Sequence, residues 1–230
     1  MDLYEFNRQL AEAARAMAEE ADTQHTLDRA VQMATDMIEH CDMAGISLVH
    51  GDRIDTPAAT DEALRCADDL QFELGEGPCV DALRQQEVVT VANLAEDPRW
   101  PTWGPHIARE LGLHSSMSFR LFTDGDNLGA MNLYASEVEA FGHDDLLDGL
   151  ILAAHAAVAL AASLEEDQLH RALESGRMIG EATGIIRERF GLSSEKAFGV
   201  LRRISSHQHI KLHRVAQHVV DVGSLPGPRD

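Results

Sequence analysis

The residues best suited to chemistry are basic side chains near the C-terminus of this 230-residue chain. Between Arg177 and Arg214, eight basic residues stand against three acidic ones, a local charge of +5. Guanidinium and ammonium groups neutralise phosphate, so such a cluster favours a nucleic-acid backbone as its ligand. A solvated helical face is the alternative explanation of the same charge. The cations suited to phosphate contacts are Arg187, Arg202, Arg203, Lys211 and Arg214.

The charge of this cluster contrasts with that of the rest of the chain. Residues 1–165 contain nine arginines, no lysine and 31 acidic residues, a net charge of −22, whereas residues 166–230 carry +2. The whole chain carries −20, which argues against nucleic acid as a partner of the body of the protein. A basic module on an acidic body is instead typical of a regulated nucleic-acid binder.

Metal chemistry and common enzyme chemistry find little support in the sequence. Cys41, Cys66 and Cys79 lack CxxC spacing, which argues against a disulfide framework and a zinc ribbon. Among the C-terminal histidines, only His209 and His213 have the i, i+4 spacing that places two ligands on one helix face. Nucleophile-elbow, zinc-protease, phosphate-loop and dinucleotide-binding motifs are absent. We therefore expect no metal, no cofactor and no enzymatic activity.

The apolar stretches predict no membrane anchor. The longest, residues 151–164, is interrupted by His155 and Ser163 and is too short and too rich in alanine to span a bilayer. The first ten residues have neither the basic nor the apolar region of a secretory signal. We therefore expect a cytoplasmic protein with no membrane partner.

The first 143 residues mix helical and strand patterns. The predicted elements are two helices before residue 40, a hairpin over 44–56 that turns at Gly51–Asp52, a helix over 61–70, a helix that begins near Pro78, a strand at Val88–Val91, a helix at 106–111 and a second hairpin over 117–134 that turns at Asp124–Asn127. Strands without a strict strand–helix–strand repeat indicate an α+β domain with an antiparallel sheet.

A long helix is predicted from Asp144 to Phe190, roughly 70 Å at about 1.5 Å per residue. It carries two heptad seams, separated by a step of five residues between Leu164 and Leu169. We expect the first seam to form a coiled coil with a second copy of the chain, which predicts a homodimer. The alternative is a helix that packs on its own domain. The first seam is Leu146, Leu150, Ala153, Ala157, Leu160 and Leu164.

Two shorter helices follow the long one. Ser193 or Ser194 suits the N-cap of the first, and apolar stripes over 197–204 and 212–220 predict that both helices pack in a small three-helix bundle. We expect Phe198 in the core of this bundle, and a stacking surface for nucleic-acid bases is the alternative.

The pattern from Arg177 onward resembles the ANTAR domain. The matching stretches are 177–186, Ala197-Phe198 with Leu201-Arg202, and Lys211-Leu212 with Val215-Ala216. The resemblance implies an RNA-binding transcription antiterminator whose dimer holds two adjacent stem-loops of a nascent transcript. Thr183 stands where members of that family usually have a lysine, and glycines at 180 and 184 suit either close approach of RNA or tight helix crossing. The implied RNA-binding residues are Gly180, Thr183, Gly184, Arg187, Arg202, Arg203, Lys211 and Arg214.

Residues 25–165 resemble a GAF sensor domain of the actinobacterial kind, on the run Gly75-Glu76-Gly77-Pro78-Cys79 and the closing hairpin. The resemblance implies control by an unidentified small molecule, although Trp100 and Trp103 could equally plug the pocket. The implied pocket residues are Cys79, Trp100, Trp103, His106, His114 and Met117. The expected organisation is an N-terminal helix (1–24), a GAF domain (25–143), a coiled-coil linker helix (144–176), an all-α three-helix ANTAR bundle (177–222) and a disordered tail (223–230).

Two other functions stay open at this point. A three-helix module can resemble a helix-turn-helix, which would make the chain a DNA-binding transcriptional regulator. Some GAF domains reduce free methionine sulfoxide with cysteines, and such a reductase needs a thiol of low pKa, for which Cys79 near a helix start is the candidate.

Overall fold

The computed structural model describes residues 3–51, 53–84, 87–123 and 126–226. The chain divides into two compact units, Met1–Leu164 and Glu165–Asp230. Parts of both predicted hairpin turns, at Asp52 and at Asp124–Gly125, lie outside the described residues, as does the end of the predicted tail at 227–230.

The first unit begins with the two predicted helices, α1 (Leu3–Ala18) and α2 (Thr23–Met37). Asp22 caps α2, because its carboxylate accepts the backbone N–H of His25 at 3.0 Å. Three shorter helices follow in the same unit: α3 (Glu62–Leu74), α4 (Pro78–Arg84) and α5 (Trp103–Leu111). Pro78 is the first residue of α4, as predicted, whereas α5 begins three residues before its predicted start.

The sheet of this unit is antiparallel and has five strands in the order β2-β1-β5-β4-β3. The strands are β1 (Met43–His50), β2 (Arg53–Ala59), β3 (Val88–Val91), β4 (Ser115–Phe122) and β5 (Asn127–Ala135). Both predicted hairpins are present, as β1–β2 and β4–β5. The predicted α+β class is confirmed.

The two faces of the sheet support two different cores. One core contains alternate residues of β1, β4 and β5, such as Ile46, Phe119 and Met131, together with α1 and α2. The other lies under α3, α4 and α5 and contains Trp100 and Trp103. Each strand therefore presents one set of side chains to each core, as the two-residue period of a strand requires.

The long helix α6 spans His143–Phe190 without interruption. In the first unit, Leu152, Ala156 and Leu160 are buried in the core beside the sheet. Gly149 lies against the ring of Phe119, where any side chain would collide. An alanine-rich face with one glycine therefore lets α6 approach the sheet closely.

The heptad seam expected to bind a second copy belongs to this interior. Ala153, Ala157 and Leu160 are buried, and Leu146 and Leu164 are half-buried against the same core. The prediction that this seam forms the dimer contact is therefore wrong, because the protein's own sheet and helices cover every seam residue except Leu150, which is 38% exposed. A coiled coil must use a different face of α6.

That different face is apolar and exposed. In the first unit it consists of Leu147, Ile151, Ala154, Val158 and Ala162, all exposed, with Val158 at 65%. By length and composition, α6 also passes a test for a membrane-spanning helix, which is weak evidence because core helices of soluble proteins pass it too. Burial of its inner face in the protein core accounts for much of this apolar character.

The second unit is built from the end of α6 with α7 (Ser194–Gln208) and α8 (Leu212–Val222). Ser193 caps α7 by accepting the backbone N–H of Lys196, and Gly191 has the positive φ of 63° that the turn after α6 requires. The core is aliphatic and consists of Ala182, Ile186, Ala197, Leu201, Val215, Ala216 and Val219. The predicted three-helix bundle is confirmed.

Candidate nucleic-acid interface and sensor site

The five predicted phosphate-binding cations are all exposed in the second unit. Arg187 is on α6, and Arg202 and Arg203 are on α7. Lys211 is the N-cap of α8, and Arg214 is in its first turn. None of the five forms an ion pair with any residue that the structure describes, whereas Arg177 pairs with Glu181 at 3.8 Å. These five charges are therefore available to an anionic ligand without breaking an existing bond.

The start of α8 adds to this positive potential. Lys211 occupies the N-cap and its side chain makes no capping hydrogen bond, whereas the N–H of Arg214 already donates to the carbonyl oxygen of Lys211 at 2.9 Å. A helix N-terminus carries a partial positive charge and favours phosphate. Lys211, His213 and Arg214 surround it within one turn and are exposed.

The predicted contacts on α6 form a separate group. Gly180 and Gly184 are exposed, and a methyl group at either position would meet no atom within 4 Å. Helix crossing within this chain therefore does not explain these glycines. The half-buried Thr183 hydroxyl donates to the carbonyl oxygen of Ile179 at 2.6 Å, so its proton is already used. Leu169 and Leu173, which are 58% and 70% exposed, precede the glycines at helical spacing.

Phe198 does not belong to the bundle core, contrary to expectation. It is 39% exposed, and the core of the second unit is complete without it. His209 and His213 do not share one helix face, because His209 is the C-cap of α7 and His213 is on α8. No group of three side chains able to hold a metal ion occurs among the residues that the structure describes.

The predicted sensor-pocket residues are distributed over several places in the first unit. Trp100 and Trp103 lie together, edge to face with ring centroids 6.5 Å apart, and both are buried. Their indole N–H groups donate to Asp81 at 3.2 Å and to the carbonyl oxygen of Ala67 at 2.9 Å. Met117 lies in the core on the opposite face of the sheet.

The other predicted pocket residues also lie at separate places in the first unit. His106 is half-buried on α5, where its ring lies 3.2 Å from the guanidinium of Arg109, and His114 is half-buried before β4. Cys79 is fully buried beside Ser47, at 3.5 Å. The structure therefore joins the two tryptophans as a packed pair and does not gather all six residues around one cavity.

The GEGPC run has structural roles that position these elements. Glu76 accepts the backbone N–H groups of Thr102 and Trp103, at 3.0 and 2.9 Å, and so caps α5 from outside; these bonds lower the pKa of its carboxyl group. Gly77 has φ of 122°, and a side chain there would collide with Gln71. The Gln71 amide oxygen accepts the N–H of Cys79 at 3.1 Å.

A buried polar cluster, which no sequence motif predicted, lies on the sheet face that α3 and α4 cover. Its centre is the carboxylate of Asp68, which accepts four hydrogen bonds. Ser47 and Thr56 donate to one oxygen at 3.1 and 2.7 Å, and Gln71 and Tyr134 donate to the other at 2.8 and 3.5 Å. We call Ser47, Thr56, Asp68, Gln71, Asn132 and Tyr134 the inner polar cluster.

Four buried side-chain atoms have no partner in the described part of the chain: one is Nε of Arg120, and the other three lie at or beside the inner polar cluster. These three are the side-chain oxygens of Ser116 and Ser118 and the amide oxygen of Asn132, all buried. Ser118 is opposite Asn132 in the β4–β5 ladder, so two of these groups are neighbours. Asn132 donates its amide N–H to Ser47 at 3.2 Å, which leaves its oxygen as an acceptor. Buried polar groups normally have a partner, so a polar guest that reached these three atoms would gain hydrogen bonds.

Burial raises the pKa of Asp68 to about 6, against the ordinary value of 3.8, although its hydrogen bonds oppose this shift. Protonated Asp68 is thus favoured in the folded state. The stability that the folded state gains by binding this proton more tightly than the unfolded state is fully present below pH 3.8. It is lost as the pH rises through about 6.

We therefore expect the free energy of unfolding of Asp68→Asn, relative to that of the wild type, to increase by about 1 kcal/mol from pH 5 to pH 7. Urea unfolding followed by the fluorescence of the two tryptophans, both in the first unit, measures this difference. Asp69→Asn is the matched control, because Asp69 is exposed, and its difference from wild type should not change with pH in this range. A pH-independent difference for Asp68→Asn would show that Asp68 is ionised throughout.

Burial also decides the chemistry of two cysteines. It raises the pKa of the Cys41 and Cys79 thiols to about 12, and nearby Asp68 adds to the effect at Cys79. Reductase chemistry needs a thiolate, so Cys79 does not have the properties of a reactive cysteine.

Comparison with known proteins agrees with this two-unit description. The family model of the GAF domain matches residues 20–161, and that of the ANTAR domain matches residues 167–220. A search of curated proteins finds none that matches the chain.

Solved structures show the fold of the larger part. A free methionine-R-sulfoxide reductase from Neisseria meningitidis is 19% identical with a TM-score of 0.56, covering 70% of this chain and 91% of its own. The GAF domain of a phosphoenolpyruvate-protein phosphotransferase from Coxiella burnetii is 15% identical with a TM-score of 0.57, covering 71% and 96%. At these identities the likeness concerns the fold alone.

Proposed function

Since the chain belongs to the GAF domain family and carries an ANTAR domain after its GAF domain, we propose that it binds pairs of adjacent stem-loops in nascent transcripts. An ANTAR domain implies RNA-binding antitermination and a GAF domain a sensor, so the chain is a regulatory, non-enzymatic protein. Holding both stem-loops would prevent a competing terminator hairpin from forming, and polymerase would then read through.

One observation carries this proposal: the five exposed cations of the ANTAR domain have no ion-pair partner among the described residues. RNA loops combine dense phosphate with bases that are not paired, and unpaired cations on a small helical module suit such a target. The rest of the chain is strongly acidic and would repel RNA, which confines binding to this domain.

A selection experiment tests the proposal and its DNA alternative together. The full chain is offered an RNA pool of two adjacent stem-loops with randomised loop nucleotides, and a duplex DNA pool of equal charge. We expect enrichment of RNA with both loops intact. Enrichment of DNA alone would favour the helix-turn-helix interpretation, and enrichment of neither would contradict nucleic-acid binding.

We propose that the active form is a homodimer that pairs through exposed faces of α6. The face Leu147, Ile151, Ala154, Val158 and Ala162 contains no charged residue, so two copies of an otherwise acidic unit can approach there without repulsion. A groove of about 430 Å³ beside it, lined in part by Phe119, Phe122 and Leu150, extends the apolar surface. In the second unit, Leu169, Leu173, Gly176, Gly180 and Gly184 repeat the same spacing and are exposed.

We propose that the GAF domain senses a small uncharged molecule at the inner polar cluster. The unpartnered oxygen of Asn132 needs a donor, and the hydroxyls of Ser116 and Ser118 can donate or accept. The cluster itself contains no basic side chain and has the carboxyl group of Asp68 at its centre, so a neutral guest suits it better than an anion. An amide or a polyol provides the required groups.

Thermal unfolding followed by tryptophan fluorescence tests this with a panel of neutral amides, polyols and matched carboxylates. A neutral compound should stabilise the wild type, and Ser118→Ala should reduce that gain because one contact is lost. A panel in which no neutral compound stabilises the protein would contradict this choice of site and ligand class.

The cellular location follows from the proposed activity. Nascent transcripts are made in the bacterial cytoplasm, and we propose that the protein acts there without a membrane partner. Fractionation that recovers the full chain with membranes after a high-salt wash would contradict this.

A further inference from the structure

The ANTAR domain contains two aromatic residues, Phe190 and Phe198, and both are exposed, at 52% and 39%. Its buried core is aliphatic and is complete without either ring. Phe198 is therefore a large apolar side chain at the surface of a basic module. Exposing its ring to water is unfavourable, and packing inside this unit does not explain why it is there.

Phe198 also belongs to an ordered row. Along α7 the steps of four, four and three residues place Phe198, Arg202, Ser206 and His209 on one side of the helix, and all four are exposed. His209 is the C-cap of α7 in a left-handed conformation, with φ of 54°. Two residues later Lys211 is the N-cap of α8. An aromatic ring is thus followed by a guanidinium, a hydroxyl, an imidazole and an ammonium group.

This combination matches an unpaired nucleotide. Flat rings stack on bases that have left a helix, and a neighbouring guanidinium can bind the phosphate of the same nucleotide. Arg202 is one helical turn from Phe198, a separation of about 6 Å along the helix axis, close to the spacing between a base and its phosphate.

We propose that Phe198 is a stacking platform for one unpaired loop base, and that Arg202 binds the phosphate belonging to it. The inference rests on the proposed RNA function and adds a contact to the base, which the cations alone do not provide. The row from Arg202 to Lys211 then guides the following backbone.

Two substitutions separate stacking from apolar contact. The probe is a two-loop RNA recovered from the randomised pool, with 2-aminopurine placed in turn at each loop position. Phe198→Leu should weaken binding about ten-fold to one hundred-fold, the value of one stacked base, whereas Phe198→Trp should bind about as well as wild type. One loop position should lose 2-aminopurine fluorescence on binding wild type and recover it with Phe198→Leu.

Phe190→Leu is the matched control, since it removes an exposed ring of the same domain outside the row. Equal weakening by Phe190→Leu and Phe198→Leu, or wild-type affinity of Phe198→Leu, would overturn the stacking proposal. Because Phe198 is outside the core, far-UV circular dichroism should show an unchanged helix content. If Lys211→Ala weakens binding while Phe198→Leu does not, RNA recognition stands and only stacking fails; failure of the wild type to bind any RNA would refute the proposed function itself.

Discussion

Substitution of Ile151→Glu with Val158→Glu is expected to convert the protein from a dimer into a monomer. Both side chains belong to the uncharged exposed face of α6, and a two-fold interface would set each new carboxylate near the same group of the second copy. Burial of like charges without partners destabilises an interface strongly. Light scattering at micromolar concentration measures the change in mass.

Loss of the dimer should also weaken RNA binding selectively. Two ANTAR domains on one dimer turn the second loop contact into an intramolecular step, so affinity for two-loop RNA should fall about one hundred-fold, while affinity for a single loop stays nearly the same. Thr90→Glu with Ala92→Glu adds the same charge at exposed positions of the first unit and should change neither property. A wild type that scatters as a monomer would contradict the dimer.

The double substitution Arg202→Ala with Lys211→Ala should have the other large effect. Each cation neutralises about one phosphate, so the slope of log K against log salt should flatten by about 1.5 per protomer. At low salt we expect about one hundred-fold weaker binding of two-loop RNA. A filter-binding titration between 50 and 200 mM salt gives both values.

A control for this effect uses cations that are already paired. Arg8 bonds Glu12 at 2.7 Å and Arg109 bonds Glu110 at 2.8 Å, both in the acidic unit. Their joint replacement by alanine removes the same charge and should leave the slope unchanged. An equal loss in both variants would mean that total charge, rather than the ANTAR surface, sets RNA affinity.

Local patterns predicted the elements well, because each signal is contained within a few residues. Pro78 marks the start of α4, the strand Val88–Val91 has the predicted bounds, and Ser193 caps α7. Such local signals could not predict which side of α6 packs against the sheet. The helix is apolar on two sides, and periodicity alone cannot distinguish the side that its own sheet covers from the side that stays exposed.

The candidate sensor site shows the same limit more clearly. Ser47, Asp68 and Tyr134 come from three elements that are distant in sequence, and only strand pairing and the placement of α3 bring them together. The sequence left two roles open for the tryptophans, lining a pocket or plugging it, and their large rings fill the second core. One signal was available: Ser116 and Ser118 alternate with Met117 and Phe119, which places polar groups on one face of a buried strand.

The proposed RNA-binding surface could be predicted from sequence to the extent that charge identifies it. Exposed cations need no tertiary context, and all five predicted ones are on the surface. Phe198 was different, because an aromatic residue near a helical stripe suits a core as well as a surface. The core is filled by small side chains, among them Ala182, Ala197 and Ala216, and the ring of Phe198 is not part of it.

Transcription in vitro tests the central claim most directly. The template encodes a selected two-loop RNA whose second stem-loop overlaps an intrinsic terminator, and single-round transcription measures read-through as the full chain is added. Read-through should rise with the same midpoint as RNA binding, and neither Arg202→Ala with Lys211→Ala nor a template lacking the first loop should respond. Unchanged read-through at concentrations that saturate the RNA would contradict antitermination by this protein.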